Sequence, residues 1–165
     1  MKPITLVQRL IVVAAMTIPG SIARAQTAPA PAYGIPINVE SAKKAAAAAI
    51  AEARKNNFQM AIAVVDPAGS LVYFEKMDGT QNGSVNVSID KARSAALFKR
   101  PTKAFQDVVA AGGVGLRILA LEGAVPVDGG VPLMVGGKII GAIGASGGTS
   151  DQDAQCAQAG ANVLK

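Results

Sequence analysis

DGGVPLMVGGKIIGAIGASGGTSD, residues 128–151, joins two apolar runs, 131–135 and 138–145, through Gly136-Gly137. A Gly-Gly pair suits a two-residue hairpin connector, because both central positions can take positive φ without steric cost. The second run leads into Gly144-Ala145-Ser146-Gly147-Gly148 and then an acidic stretch that starts a helix. The segment therefore predicts a loop, a β-hairpin and a glycine-lined strand-to-helix junction, where a ligand or a second backbone can come close.

Working outward, residues 60–65 (MAIAVV) and 70–76 (SLVYFEK) flank the turn Asp66-Pro67-Ala68-Gly69 and predict a second antiparallel hairpin. Helices are predicted at 39–55, capped by Asn38 and stopped by Asn56-Asn57, and at 85–98, capped by Ser84. The second should pack a stripe of Val85, Ile89, Ala92 and Ala96. Pro101 ends it, a shorter helix follows over 102–111, and Gly112 to Gly115 reads as a break. Residues 116–121 carry no assignable pattern, and a last helix starts near Ser150. Two hairpins with helices between and around them predict a single-domain α+β fold, an antiparallel sheet flanked by helices in a profilin-like α/β sandwich. The alternating strand–helix pattern of a parallel nucleotide-binding fold is absent.

Residues 1–25 read as a cleaved secretory signal. Lys2 and Arg9 precede the short apolar run 10–18, Pro19-Gly20 breaks it, and Ala23-Arg24-Ala25 offers a cleavage site. The run falls well short of the ~20 residues that span a bilayer. A periplasmic or secreted protein without a membrane span is the expectation. Residues 26–37, rich in Pro and Ala, read as a flexible or extended leader, and 38–165 as the folded domain. The full chain carries 16 Lys+Arg and 11 Asp+Glu; loss of Lys2, Arg9 and Arg24 leaves thirteen against eleven, a net of +2. That charge gives no reason to expect a nucleic-acid partner. The local basic cluster Lys91, Arg93, Lys99, Arg100 and Lys103 reads first as a solvated helix face, with an anion or propionate contact as the alternative.

Several chemistries are excluded by residue type. Gly144-Ala145-Ser146-Gly147-Gly148 fits G-x-S-x-G, yet the chain has no histidine to serve Ser146 as base. A Ser-Lys pair with Lys91 or Lys138 is the residual option. Neither glycine-rich phosphate fingerprint is present. One cysteine and no histidine leave little for zinc, and Cys156, alone on the last helix, reads as free and protected or paired between chains rather than as a catalytic thiolate.

Five blocks carry a family resemblance: residues 64–72 (VVDPAGSLV), Met77-Asp78-Gly79, Lys91-Ala92-Arg93-Ser94-Ala95, Gly129-Gly130-Val131-Pro132, and 139–147 (IIGAIGASG) with Asp151 behind. In this order and spacing, over 38–165, the chain resembles the GlcG/HbpS-type haem-binding family, whose domain also ends some corrinoid adenosyltransferases. The resemblance implies one α/β domain, homo-oligomers, and binding of haem or a related tetrapyrrole, with haem breakdown in some members. The candidate ligand-binding residues are Tyr73, Met77, Asp78, Lys91, Arg93, Gly129, Gly130 and Ser146. Without histidine the axial ligand is open among Tyr33, Tyr73, the methionines, Lys91, Cys156 or a Ser/Thr oxygen. The expected function is an exported protein that sequesters or presents haem without robust catalysis of its own. The other reading is an accessory protein that binds or acts on a small anionic organic acid through the glycine loops and Lys91/Arg93.

Overall fold

A computed structural model describes residues 29–164. The signal-peptide expectation lies outside the described residues. Helix α1 (Val39–Lys55) is followed by strands β1 (Ala61–Val65) and β2 (Leu71–Lys76), helices α2 (Ser84–Leu97) and α3 (Lys103–Ala110), and a 3₁₀ helix (Gly113–Ala120). Strands β3 (Gly130–Val135) and β4 (Lys138–Ser146) and helix α4 (Ser150–Ala161) complete the chain. The strands form one antiparallel sheet in the order β2-β1-β4-β3. Both predicted hairpins are present, and the α+β expectation holds.

Local chemistry explains most element ends. Gly136 and Gly137 take φ of +54° and +73°, the positive values that the two-residue turn requires. At the other hairpin the Asp66 carboxylate accepts from the amides of Ala68 and Ser70, both at 2.9 Å, and Gly69 supplies φ +82°. Asn38 caps α1 through the Ser41 amide. Thr149 and Gln152 cap α4 reciprocally in a capping box.

Helices cover both faces of the sheet. Ile62, Val64, Ile143 and Ala145 point towards α1 and α4, while Ala63, Val65 and Ala142 point towards α2. Small residues set the layer spacing. Ala42, Ala45, Ala46, Ala49 and Ala53 of α1 are fully buried, and a side chain on Gly160 of α4 would meet the Ala45 carbonyl at 2.7 Å. Glu52 of α1 accepts a 2.6 Å hydrogen bond from Gln155 of α4, which closes the layer at one end. Opposite, Gly144 faces the backbone of Ser88 and Ala92, and a Cβ there would lie 2.6 Å from the Ala92 nitrogen. Each fully buried Met60, Ile62, Leu133, Ile139 and Ile143 contributes about 1.5–3 kcal/mol to this core.

Three expectations need correction. Ser84 does not cap α2: Gly83 holds that position without a side-chain cap, and Ser84 is buried inside the first turn. The buried face of α2 is rotated from the predicted stripe. Ala92 and Ala96 are buried, but Val85 and Ile89 are half-buried, and Ser84, Ser88, Lys91 and Ser94 occupy the interface instead. The predicted break at Gly112 to Gly115 turns directly into the 3₁₀ helix, which also contains most of the unassigned 116–121. Of the two readings of the leader, flexible or extended, its end takes the extended one. Ile139 donates to the Ala32 carbonyl at 2.9 Å, Gly34 donates back at 2.7 Å and Ile37 reaches the Ile140 carbonyl at 2.8 Å. This pairing extends the sheet where β1 has ended, so those backbone groups are satisfied.

Replacing Gly144 by Ala should destabilise the protein by about 1–3 kcal/mol, since the added methyl meets backbone atoms that cannot rotate away. A lowered urea midpoint at unchanged slope is the expected readout.

Candidate functional site

Four of the eight candidate residues meet at the end of the sheet. Lys91 projects from α2 and Asp153 from the first turn of α4, on opposite sides of the sheet, and their charged atoms lie 2.7 Å apart. Lys91 is 1% exposed and Asp153 3%. The Lys91 ammonium also donates to the Ala145 carbonyl at 3.2 Å, and the Gly148 amide donates to the other Asp153 oxygen at 3.0 Å. Glycine makes this crossing possible. A Cβ at Gly129 (φ +116°) would lie 2.9 Å from the Lys91 nitrogen and 2.8 Å from both the Ala145 carbonyl and the Asp153 Cβ. Gly130, which sits against the Lys91 carbonyl, donates its amide to the Thr102 hydroxyl at 2.9 Å. Burial pushes the Asp153 carboxyl above the usual carboxylate range, while Lys91 and the Gly148 and Gly147 amides pull it back. The desolvation cost outweighs those attractions.

This geometry corrects the reading of the basic cluster at one position. Lys91 is neither on a solvated face nor available to an outside anion, because Asp153 takes its charge inside the protein. Ser146 is buried alongside, and its hydroxyl donates to the Ser84 hydroxyl at 3.1 Å. Lys91 bonds to Asp153 and Ala145, and Lys138 lies at the opposite end of β4, so neither lysine completes a Ser-Lys pair.

Tyr73, Met77 and Asp78 sit elsewhere, near the end of β2. Met77 is half-buried against the main core and, with Asp78, lines an open cleft of about 380 Å³ bounded by Arg54, Glu75 and Lys76. The Tyr73 hydroxyl donates to Glu75 at 3.1 Å. Burial and the Glu75 carboxylate push its phenol up, which opposes the phenolate that iron ligation needs. Arg93 is apart again: its Nε donates to the Gly69 carbonyl at 3.1 Å, and it lines a cleft of about 420 Å³ with Asp90 and Glu122.

A more apolar cleft, about 480 Å³, lies beside the docked leader, lined by Tyr33, Gly34, Ile35, Val135, Lys138 and Ile140. The Tyr33 hydroxyl donates to the carbonyls of Ala96 at 2.9 Å and Leu97 at 3.2 Å, and the Lys99 ammonium lies 4.2 Å from its ring centroid. Sequence reasoning missed this wall, because its residues come from the leader and the β3–β4 hairpin, about a hundred positions apart. It missed Asp153 too, which reads as an ordinary acid in the first turn of a helix. Cys156 is free and buried, in line with the protected-thiol reading. Burial, then the charges of Asp153 and Glu52, push its thiol up to about 11. Among the described residues no group of acids and cysteine is placed to hold a metal ion.

Comparison with known proteins gives a consistent picture. The model of the haem-degrading HbpS-like protein family matches residues 37–162. Protein GlcG of Escherichia coli is 41% identical over 95 residues, 58% of this chain and 69% of GlcG. A double mutant of HbpS from Streptomyces reticuli shares the fold with a TM-score of 0.73 at 28% identity, covering 96% of this chain and 99% of that one. PduOC, solved as a haem complex, matches with a TM-score of 0.71 at 25% identity, over 79% of this chain and 96% of its own.

Removing one partner of the buried pair strands a charge. Lys91→Met or Asp153→Leu alone should cost about 3–5 kcal/mol, whereas the double variant should recover much of that loss. A thermodynamic cycle from urea unfolding measures both, and additive losses would contradict a coupled pair. Cys156 should react with Ellman's reagent at pH 8 about 100-fold more slowly in the folded protein than in guanidinium, given its scarce thiolate. Its folded pKa exceeds the unfolded value of about 8.5, so its contribution to stability is complete below that pH and is lost as pH rises towards about 11.

Proposed function

Because this chain belongs to the haem-degrading HbpS-like family, we propose that it is an exported, homo-oligomeric haem-binding protein that sequesters or presents haem rather than breaking it down efficiently. The observation that carries the reading is the shared fold with PduOC, whose structure is a haem complex, over 96% of that chain. Export rests on the signal-like residues 1–25, and among the described residues no helix is long and apolar enough to cross a membrane.

The donor set bears on how haem would be held. The chain has no histidine. Lys91 is paired, Cys156 is a buried thiol with a raised pKa, and the Tyr73 phenol is engaged by Glu75. That leaves the Met77 and Met134 thioethers or a Ser/Thr oxygen as candidates for a weak axial contact, because the Tyr33 hydroxyl, like that of Tyr73, is already engaged within the protein. A macrocycle also needs an apolar wall, and Tyr33, Ile35, Val135 and Ile140 supply one, with Lys138 and Lys99 beside it for the propionates. These residues fit a haem laid on the surface. When bound, haem supplies iron redox and oxygen chemistry; this chain's part is to bind the ring face and pair its carboxylates. Weak ligation leaves that chemistry poorly controlled, which favours carriage over turnover. With Lys91 sequestered, the small-anion reading loses its strongest cation.

Titrating hemin into the protein should give a saturable Soret shift. Ile35→Asp, at a position 86% exposed, should weaken binding about tenfold while leaving the fold intact. No shift beyond a buffer control would overturn haem binding. A shift insensitive to Ile35→Asp but moved by Met77→Ala would put the ring in the Met77 cleft instead.

A further inference from the structure

A cleft of about 410 Å³ lies between the end of α1 and the start of α4. Four carboxamides line it, those of Asn56, Asn57, Gln59 and Gln152, and Phe58 stands among them half-buried. Gly147 and Gly148 complete the lining. Unlike the three clefts described above, this one has no charged side chain on its wall. Its volume falls within the ~300–1,000 Å³ of small-molecule sites, which combine an aromatic or apolar surface with a few placed polar groups.

Local contacts hold the amides in place. Asn56 donates its Nδ2 to the Glu52 carbonyl at 2.8 Å and to the Glu52 carboxylate at 2.9 Å, which leaves Oδ1 as an acceptor. Gln152 accepts the Thr149 amide at 3.0 Å through Oε1, so its Nε2 remains a donor. Asn57 holds φ +58°, a left-handed conformation that asparagine adopts more readily than most residues. Gly79, at φ +81°, makes room for the Gln59 amide, since a Cβ there would lie 2.8 Å from Oε1. A Cβ on Gly147 would collide with the Gln59 carbonyl, so glycine lets the entry to α4 run against residue 59. Among the described residues, no protein group bonds the side chains of Asn57 and Gln59, the Asn56 Oδ1 or the Gln152 Nε2. Helix ends account for Asn56, Asn57 and Gln152. They do not account for Gln59, or for a wall that offers donors and acceptors together without a charge.

That wall selects a neutral ligand. An anion would be drawn to the positive end of α4, but the donors there are taken. Asp153 accepts from Gly148 at 3.0 Å and from Gly147, and the Thr149 amide is held by Gln152. A cation finds no carboxylate on the wall. A hydroxyl, like a carboxamide, both donates and accepts, so the two satisfy each other in pairs. We propose that this cleft binds a neutral polyhydroxylated ligand, a sugar ring, whose hydroxyls exchange hydrogen bonds with Asn57, Gln59 and Gln152 and whose C–H face lies on Phe58. The site shares no residue with the apolar wall beside the leader, and the hemin titration reads that wall independently.

The side-chain amides of Asn and Gln give their own signals in a nitrogen–proton correlation spectrum, so the site can be watched directly. Protein recovered from expression of the full chain is titrated with glucose, galactose, mannose and N-acetylglucosamine, each to about 50 mM, where even a weak ligand registers. At least one should move the Gln59 and Gln152 side-chain signals saturably. Gln59→Ala, at an exposed position, and Asn57→Gly, which keeps the positive φ, should each weaken that sugar about five- to tenfold. Both variants should keep the parent far-UV spectrum. Maltose and cellobiose separate two sources of the same chemistry: tighter binding of a disaccharide supports the end of a glycan chain, and equal or weaker binding supports a free sugar. No saturable movement with any of these sugars overturns the proposal, as does an affinity that both variants retain. Sodium acetate moving the same signals at lower concentration than every sugar would make this an anion site and overturn it as well.

Discussion

The ammonium of Lys91 and the carboxylate of Asp153, 2.7 Å apart and both buried, couple the two helical layers across the sheet. Neither charge can return to water without opening the junction, and neither is tolerable alone. The pair therefore constrains three things together: the depth of α2, the direction in which the chain leaves β4 through Gly147 and Gly148, and the start of α4. Gly129 is the steric condition for this, since any side chain there would occupy the space that the lysine nitrogen crosses. The pair is a poor source of net stability, because the cost of desolvating it outweighs its attraction. Its value lies in specifying one arrangement of the layers.

The rest of the core follows a related logic of smallness. The alanines of α1, Gly160 of α4, and Gly144 against α2 let backbones approach where larger side chains would hold them apart. A core of this kind has little slack. Its contrast with residues 103–127, which carry α3 and the 3₁₀ helix, is informative. The body of the domain buries its aliphatic residues almost completely, while that segment presents six apolar side chains to its surroundings. Lack of hydrophobic residues is not the reason, because the same residue types are buried elsewhere.

For the ligand, the tertiary arrangement redistributes the candidates rather than gathering them. Lys91, Gly129, Gly130 and Ser146 belong to the buried junction, where their work is structural. Met77 and Asp78 flank a polar cleft near β2, and Arg93 is held by the Gly69 carbonyl. The apolar wall suited to a flat ring is built from the leader and the second hairpin. The stretch 128–151 thus identifies the family and closes the fold, and its hairpin residues Val135, Lys138 and Ile140 also form half of the apolar cleft beside the leader.

Features that depend on neighbouring residues are legible in the chain alone. Gly136-Gly137 demands a tight hairpin, Asp66 to Gly69 another, Asn38 a cap and Pro101 a stop, and these local rules recover the strands, the α-helices and the α+β class, though not the 3₁₀ helix. The five ordered blocks also identify the family. The sequence could not show that the polar side of α2 faces the sheet, because a serine and lysine stripe reads as solvated until Asp153, 62 positions away, is brought to meet it. Nor could it show that the leader pairs with β4, since 32–37 has no partner until β1 ends short and leaves the backbone of Ile139 and Ile140 open. Local conformation is set by short-range sterics and hydrogen bonds. Burial of a charge, the seat of a ligand and the exposure of residues 103–127 depend on long-range contacts, and only the tertiary structure decides them.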